Sequence, residues 1–193
     1  MISFRVTARC PATGARAGVL ETEHGPVPTP AFMPVGTRAT VKSLAPWELS
    51  DLGAGMILCN AYHLYLRPGP RVIRDAGGLH RFMGWEGPIL TDSGGFQVLS
   101  LAPLRRVSEE GVVFRSHVDG SRLFLTPEES MRIQADLGAD VAMVLDECLP
   151  HPVDRREAET SVGRTVRWAE RAALVARRMG RSAFGIVQGG VFE

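Results

Sequence analysis

An acid, a hydroxyl, two glycines and an aromatic ring stand directly after a short apolar run within residues 88–97. Ile89 and Leu90 form the apolar run, and after Thr91 come Asp92, Ser93, Gly94, Gly95 and Phe96. A carboxylate can transfer a proton or accept hydrogen bonds from a base, and glycines let the backbone approach a ligand closely. Barrel enzymes carry such groups at the carboxyl ends of their strands. The alternative interpretation is an Asx turn that ends a strand.

The same change from apolar to polar residues occurs at four other places. Apolar runs at residues 32–35, 56–59, 141–145 and 183–187 end in small or polar residues at 36–37, 60–63, 146–148 and 188–190. Uninterrupted apolar runs are typical of strands that are buried on both faces of a parallel sheet. The pattern therefore predicts five parallel strands whose polar ends share one edge of the sheet.

Four helices are predicted between these strands. Residues 46–52 end at Gly53, and residues 70–76 are expected to end at the Gly77-Gly78 pair. Thr126 is a predicted N-cap for a helix that runs to residue 138. The longest helix is expected from about residue 154 to 179, with most of its arginines solvated. Its expected apolar face consists of Val162, Val166, Ala169, Ala173 and Ala176.

Two segments predict antiparallel hairpins. Residues 4–8 and 17–21 alternate on either side of Thr13-Gly14, which suggests a hairpin under the bottom of a barrel. Residues 112–118 and 121–126 flank Asp119-Gly120, a strong turn signal. This second hairpin lies in the loop after the third strand, a position where barrel enzymes carry functional insertions.

Composition favours a single domain over residues 1–193, with 45% hydrophobic and 22% charged residues. We expect a cytoplasmic protein without a membrane partner, because no apolar run spans a bilayer and no signal-peptide core is present. The net charge of +1 does not point to nucleic acid. Cys10, Cys59 and Cys148 are far apart, so we expect neither a metal site in this chain nor a disulfide framework.

Seven motifs in fixed order resemble the tRNA-guanine transglycosylase family, most closely its bacterial queuine tRNA-ribosyltransferase branch. The resemblance extends from about residue 4 to the end of the chain. The motifs lie at residues 29–42 (TPAFMPVGTRATVK), 60–69 (NAYHLYLRPG), 90–97 (LTDSGGFQ), 116–120 (SHVDG), 125–128 (LTPE), 145–148 (LDEC) and 185–189 (GIVQG).

The resemblance implies exchange of guanine at the tRNA wobble position for a 7-deazaguanine precursor of queuosine. A family aspartate holds the ribose covalently between two displacements, which preserves the configuration. By position, Asp92 matches the family's proton-transferring aspartate, Asp146 its guanine-binding aspartate and Gln188 a glutamine that binds the base. Asn60 is expected to orient the catalytic carboxylates. The pocket wall would be Ser93, Gly94, Gly95 and Phe96, with Phe96 stacked on the base.

The resemblance also implies an incomplete (β/α)₈ barrel of the TIM type. A closed barrel needs about 250 residues, and five strands are counted here. The family's covalent nucleophile and its zinc module are expected outside these residues, so this chain needs no cofactor and is expected to be inactive alone. The full-length enzyme is expected to be a homodimer. The alternatives are a non-catalytic base- or tRNA-binding subunit of the same family and an unrelated α/β-barrel hydrolase.

Overall fold

A computed structural model describes residues 2–101 and 105–192. The strands in these residues are β1 (Ser3–Arg9), β2 (Arg16–Thr22), β3 (Gly25–Thr29), β4 (Ile57–Cys59), β5 (Ile89–Thr91), β6 (Arg106–Val107), β7 (Val112–Arg115), β8 (Arg122–Leu125), β9 (Val141–Met143) and β10 (Ser182–Phe184). The helices are α1 (Pro46–Asp51), α2 (Ala61–Leu66), α3 (Pro70–Asp75), α4 (Gly78–Met83), α5 (Gly95–Leu101), α6 (Pro127–Leu137) and α7 (Arg155–Arg178). None of these helices has the length and hydropathy needed to cross a membrane.

A four-stranded parallel sheet in the order β10-β9-β5-β4 forms the centre of the structure. Four of the five predicted parallel strands are therefore confirmed. The first is reduced to a parallel bridge between Val35 and Leu58, because Pro34 has no N–H to give. Gly36 N donates to Leu58 O (2.7 Å), and Leu58 N donates to Pro34 O (3.0 Å). Across the described residues, no strand pairing joins Val35 to β10, so the sheet is open.

The predicted N-terminal hairpin is confirmed as β1 and β2, and it gains a third strand that the sequence did not signal. β3 contains Pro26 and Pro28, which argue against a strand, but it lies at the edge of the sheet, where proline is tolerated. Leu20 and Val27 pack with Met56, which precedes β4, and with Val141, the first residue of β9. The sheet therefore covers the amino-terminal ends of the parallel strands.

The second predicted hairpin is also confirmed, as β7 and β8, and β6 extends it to three strands. It leaves the parallel sheet after β5 and returns through α6 to β9. Its turn is fastened to α2, because Tyr62 Oη and His117 Nδ1 are 2.8 Å apart and their rings stack. The hairpin is thus fixed at the carboxyl-terminal edge of the parallel sheet.

The helices match most predicted bounds. Thr126 Oγ1 accepts a hydrogen bond from Glu129 N (3.1 Å) and caps α6, as expected. The predicted stop at Gly77-Gly78 is confirmed, but the sequence did not indicate that a second helix follows at once. Gly77 has φ +95°, which ends α3, but α4 begins at Gly78. Left-handed glycines turn the chain without a steric cost, and the apolar residues that follow restart a helix.

The buried face of α7 differs from the expected one. The residues it buries are Ala158, Ser161, Thr165, Trp168, Ala172 and Ala176. Val166 is half-exposed instead. Trp168 is fully buried, and its Nε1 donates to Glu109 O (2.8 Å). Because the largest side chain gains most from burial, the helix turns it inward and includes two hydroxyl residues in the buried face.

Most arginines of α7 were expected to be solvated, and three of the seven make ion pairs across the fold. Arg171 Nε lies 2.6 Å from Glu128 Oε1, so it joins α7 to α6. Arg167 Nε lies 2.6 Å from Glu109 Oε1 beside β7. Arg164 pairs with Glu147 in the loop after β9. Acids that are distant in sequence supply the partners, so sequence periodicity did not reveal them.

Candidate active site

Asp92 follows β5 directly, and the neighbouring strand end holds its carboxylate. Oδ1 accepts a hydrogen bond from Ala61 N (2.8 Å), and Oδ2 accepts from Asn60 Nδ2 (2.5 Å) and Gln97 Nε2 (2.9 Å). Burial raises the pKa of Asp92, although these donors oppose the shift. A carboxyl group with a raised pKa exchanges its proton closer to neutral pH than an ordinary aspartate, as a general acid or base requires.

Asp146 lies at the next strand end, three residues beyond β9, and is buried. Its Oδ1 accepts a hydrogen bond from Ser93 Oγ (3.2 Å), and its Oδ2 accepts from Gln188 Nε2 (2.6 Å) and Cys148 Sγ (3.2 Å). The carboxylate therefore faces only donors. A ligand that offers two adjacent N–H groups has the complementary pattern.

Ser93 links the two carboxylates. It follows Asp92 in the chain and hydrogen-bonds Asp146, and neighbouring Cα atoms are about 3.8 Å apart. Ser130 of α6 holds this turn by donating to Ser93 O (3.0 Å). The two acids therefore lie on one rim of the sheet, within reach of a single planar ligand.

Both positions in this turn require glycine, because a side chain at either one would lie too close to a neighbouring residue. A Cβ on Gly95 would lie 2.7 Å from Asp146 Oδ1 and 2.8 Å from Asp146 O. Gly94 has φ +84°, and a Cβ there would lie 3.1 Å from Tyr62 Cβ. Phe96 begins the exposed side of this turn, with 62% of its surface accessible. A flat apolar face is therefore presented beside the acids.

The loop that carries Asp146 is fixed by hydroxyl groups of α7. Ser161 Oγ donates to Glu147 O (2.8 Å), and Glu147 N donates to Thr165 Oγ1 (3.1 Å). Sequence reasoning assigned no role to Ser161 or Thr165, because periodicity analysis counts hydroxyl residues as polar. Gln97 was missed too, although its place five residues after Asp92 on the following helix was a usable signal.

Cys148 and two histidines complete the surroundings of the site. Burial, reinforced by the charge of Asp146, raises the pKa of Cys148 to about 12, so the thiol is a donor and not a nucleophile at neutral pH. His63 lies near Asp92, and burial, with additional effects of His117 and Arg38, lowers its pKa. Both histidines are thus placed close to the rim.

The structure brings the predicted residues together at one edge of the sheet. Ser93, Gly95 and Gln188 all lie against Asp146, and Asp92 directly precedes Ser93 in the chain. The crevices that touch Asp146 or Gln188 have volumes of about 20 Å³ and 70 Å³. Typical ligand pockets have about 300 Å³ or more. In this arrangement Ser93 and Gln188 both donate hydrogen bonds to the Asp146 carboxylate.

A family model described as Queuine tRNA-ribosyltransferase matches residues 10–193, and the chain belongs to this family. The chain is 59% identical over 192 residues to the queuine tRNA-ribosyltransferase of Pelotomaculum thermopropionicum and 60% identical over 193 residues to that of Desulforudis audaxviator. Each alignment covers 100% of this chain and 52% of the relative. The relative from Moorella thermoacetica is 59% identical over 189 residues, which are 98% of this chain and 51% of that protein. The chain thus spans about half the length of the curated relatives it matches, and the family resemblance read from the motifs is confirmed.

Proposed function

We propose that this chain supplies the base-recognition and proton-transfer groups of a tRNA-guanine transglycosylase. The enzyme exchanges guanine at the wobble position of a tRNA anticodon for a 7-deazaguanine precursor of queuosine. The observation that carries the proposal is the pair of carboxylates, Asp92 and Asp146, joined through Ser93 on one rim of the sheet.

Asp146 recognises the base in this proposal. Guanine's N1–H and exocyclic amine are adjacent donors on its Watson–Crick edge, and one carboxylate accepts both. Ser93 and Gln188 already show that Asp146 attracts two donors at once. When the base arrives, the Gln188 amide leaves Asp146 and donates to the guanine carbonyl oxygen. Adenine has an acceptor at its ring nitrogen in place of the N1–H, so it cannot give Asp146 two adjacent donors, which disfavours it by roughly 10⁴-fold.

Asp92 moves the proton in this proposal. Its raised pKa suits a group that protonates the departing guanine and then deprotonates the incoming base. Asn60 and Gln97 keep the carboxylate oriented through their amide donors. Phe96, largely exposed beside Gly95, supplies the face on which a base taken out of its stack lies.

The remaining half of the family's length completes the fold in this proposal. The two sheet edges are apolar: Phe32 and Val35 are exposed at one edge, and Val187 and Val191 at the other. A groove of about 670 Å³ lies along the first edge and is lined mainly by proline, valine and leucine side chains. Further strands would close the barrel and bring the aspartate nucleophile that forms the covalent glycosyl-enzyme.

Other features of the family are proposed for the full-length protein. We propose tRNA as its substrate, a cytoplasmic location where tRNA is met, a homodimeric state and a cysteine- and histidine-ligated zinc module outside this chain. The residues described above would then form part of a single catalytic barrel domain. Light scattering and metal analysis of a full-length protein test the dimer and the zinc module.

A chimeric enzyme tests the proposed reaction. Residues 1–193 of this chain replace the corresponding half of the Pelotomaculum thermopropionicum relative, and the chimera is incubated with radiolabelled guanine and unmodified tRNA. We expect incorporation of label by the chimera, none by Asp92→Ala, and none by the chain alone, because the proposal assigns the nucleophile to the other half of the family's length. Asp75→Ala, which removes a largely exposed carboxylate on α3 away from the site, is the matched control and should keep full activity.

Three results separate the possible outcomes. A folded but inactive chimera beside an active parent enzyme would contradict the catalytic proposal. Binding of tRNA or guanine by that inactive chimera would instead support a non-catalytic subunit. Incorporation that survives Asp92→Ala would remove Asp92 from the proton-transfer role.

A further inference from the structure

Two histidines and an aspartate meet at the end of the sheet opposite the candidate active site. His24 lies in the turn between β2 and β3, His80 lies on α4, and Asp140 directly precedes β9. His24 Nδ1 is 2.8 Å from Asp140 Oδ1, and His80 Nε2 is 3.2 Å from Asp140 Oδ2. In the described residues, they are the one group of three such side chains whose ligand atoms all lie within 4.8 Å of one another.

The His80 nitrogen is not satisfied by this arrangement. Nε2 is buried and makes no well-aligned hydrogen bond, so its 3.2 Å contact with Asp140 Oδ2 is at most an ion pair. Buried polar atoms are nearly always paired, so an unpaired ring nitrogen that faces a carboxylate requires an explanation. Asp140, in contrast, is rigidly placed: its side chain is fully buried, and its Oδ2 accepts a hydrogen bond from Ile89 N (2.9 Å).

The donor set determines what the cluster would bind. Two imidazole nitrogens and one carboxylate oxygen are ligands of Zn²⁺, Co²⁺ and Ni²⁺, and three protein ligands leave positions for water. The hard cations Mg²⁺ and Ca²⁺ prefer oxygen ligands throughout. The cluster is therefore matched to a borderline transition-metal ion.

One side chain must move for such an ion to bind. The two imidazole rings are stacked, with centroids 3.6 Å apart and planes 15° apart. An ion lies about 2.0–2.1 Å from each nitrogen and close to each ring plane, so the rings must fan apart. His24 can provide this movement, because it is 34% exposed and precedes Gly25, which has φ +120°. His80 and Asp140 stay in place.

We propose that His24, His80 and Asp140 bind a single Zn²⁺-class divalent metal ion. The ion ties the β2–β3 turn and α4 to the base of the parallel sheet. Its role is structural, because the amino-terminal ends of the strands lie away from Asp92 and Asp146, and this face of barrel folds serves stability. The site is independent of the transglycosylase proposal and of any zinc module elsewhere in a longer protein.

Metal titration of the purified chain tests the site. Zn²⁺ is added in calorimetry, and Co²⁺ is added while its visible d–d absorption is recorded. We expect binding of a single ion, with affinity lowered by about 10–100-fold or more in His24→Ala and in His80→Gln. Cys10→Ser and His151→Ala are matched controls, because they remove an exposed thiol and an exposed imidazole outside the cluster, and both should bind as the unmodified chain does.

Thermal unfolding gives a second readout. Zn²⁺ at about 100 times its Kd should raise the Tm by about 5–10 °C, and His24→Ala should remove that rise. Circular dichroism in EDTA checks that each variant is folded. If His80→Gln does not fold, the result with His24→Ala alone decides whether the proposal holds. Three results would each overturn the proposal: no metal binding, unchanged binding in His24→Ala, or an equal Zn²⁺-induced rise in Tm in that variant. The cluster would then be a hydrogen-bonded structural contact.

Discussion

Replacement of Gln134 by methionine should destabilise the fold because this side chain joins the two strands that carry the candidate acids. Gln134 is buried on α6. Its Oε1 accepts hydrogen bonds from Thr91 Oγ1 (3.0 Å) and Met143 N (2.9 Å), and its Nε2 donates to Met143 O (2.9 Å). Thr91 immediately precedes Asp92, and Met143 ends β9. Methionine is similarly unbranched but removes these three bonds and the two longer ones that Nε2 donates to Ser130 O (3.3 Å) and Ser130 Oγ (3.2 Å).

The expected loss follows from the groups left without partners. The N–H and C=O of Met143 both lose the Gln134 amide, and each unsatisfied buried group costs about 1–3 kcal/mol. The Thr91 hydroxyl has Val141 O at 3.5 Å as a poor replacement. The free energy of unfolding should therefore fall by about 3 kcal/mol, a large part of the roughly 5–15 kcal/mol typical of a domain.

Urea unfolding followed by circular dichroism measures this change. Arg132→Ala, on the solvent-exposed side of the same helix, is the matched control and should change stability by less than about 0.5 kcal/mol. Hydrogen exchange at the Met143 amide should also accelerate in Gln134→Met beyond the acceleration at other β9 amides. A loss below about 1 kcal/mol, or unchanged exchange at Met143, would show that water or a backbone shift replaces the glutamine and that the reasoning is wrong.

Three further predictions concern individual side chains. Asp146→Asn in the chimeric enzyme should lower the rate of guanine incorporation by about 10³–10⁴-fold, because an amide cannot accept both donors of the base, and a loss under tenfold would contradict that role. Arg171 lowers the pKa of Glu128 to about 2, so the ion pair stabilises the fold above about pH 4.5 and loses this effect as the pH falls toward 2. Glu128→Gln should therefore lower stability by about 1 kcal/mol at pH 7 and by much less near pH 2 in urea titrations at both values. Iodoacetamide at pH 7.5 should label exposed Cys10 well before Cys148, whose pKa is raised to about 12. Mass spectrometry after timed quenching measures this order, and earlier labelling of Cys148 would contradict the prediction.

The elements that sequence reasoning found are those whose signals are local. Thr126 was predicted as an N-cap and the long helix was predicted to start near Asp154, and in the structure both side chains accept a backbone hydrogen bond at the start of their helix. The Asp119-Gly120 turn likewise identified its hairpin. The interactions that form a helix cap or a tight turn involve only a few consecutive residues, so both can be predicted from the local sequence.

The elements that sequence reasoning missed depend on their surroundings. β3 is a strand despite two prolines because it lies at a sheet edge. The predicted buried face of α7 was wrong except at Ala176, because the helix buries hydroxyl residues against the loop after β9. In both cases a neighbour distant in the sequence changes what the local pattern means.

The sequence by itself determined the family, the parallel strands and the candidate site residues, because the motifs place polar groups after apolar runs and strand direction then puts them on one edge. Tertiary structure alone decided how these groups are held. It joined Asp92 to Asn60 and Gln97, set Ser93 and Gln188 on Asp146, and assembled His24, His80 and Asp140 from segments far apart in the chain. Hydrogen bonds and ligand clusters depend on distances of a few ångströms, and residues distant in sequence reach such distances only when the chain is folded.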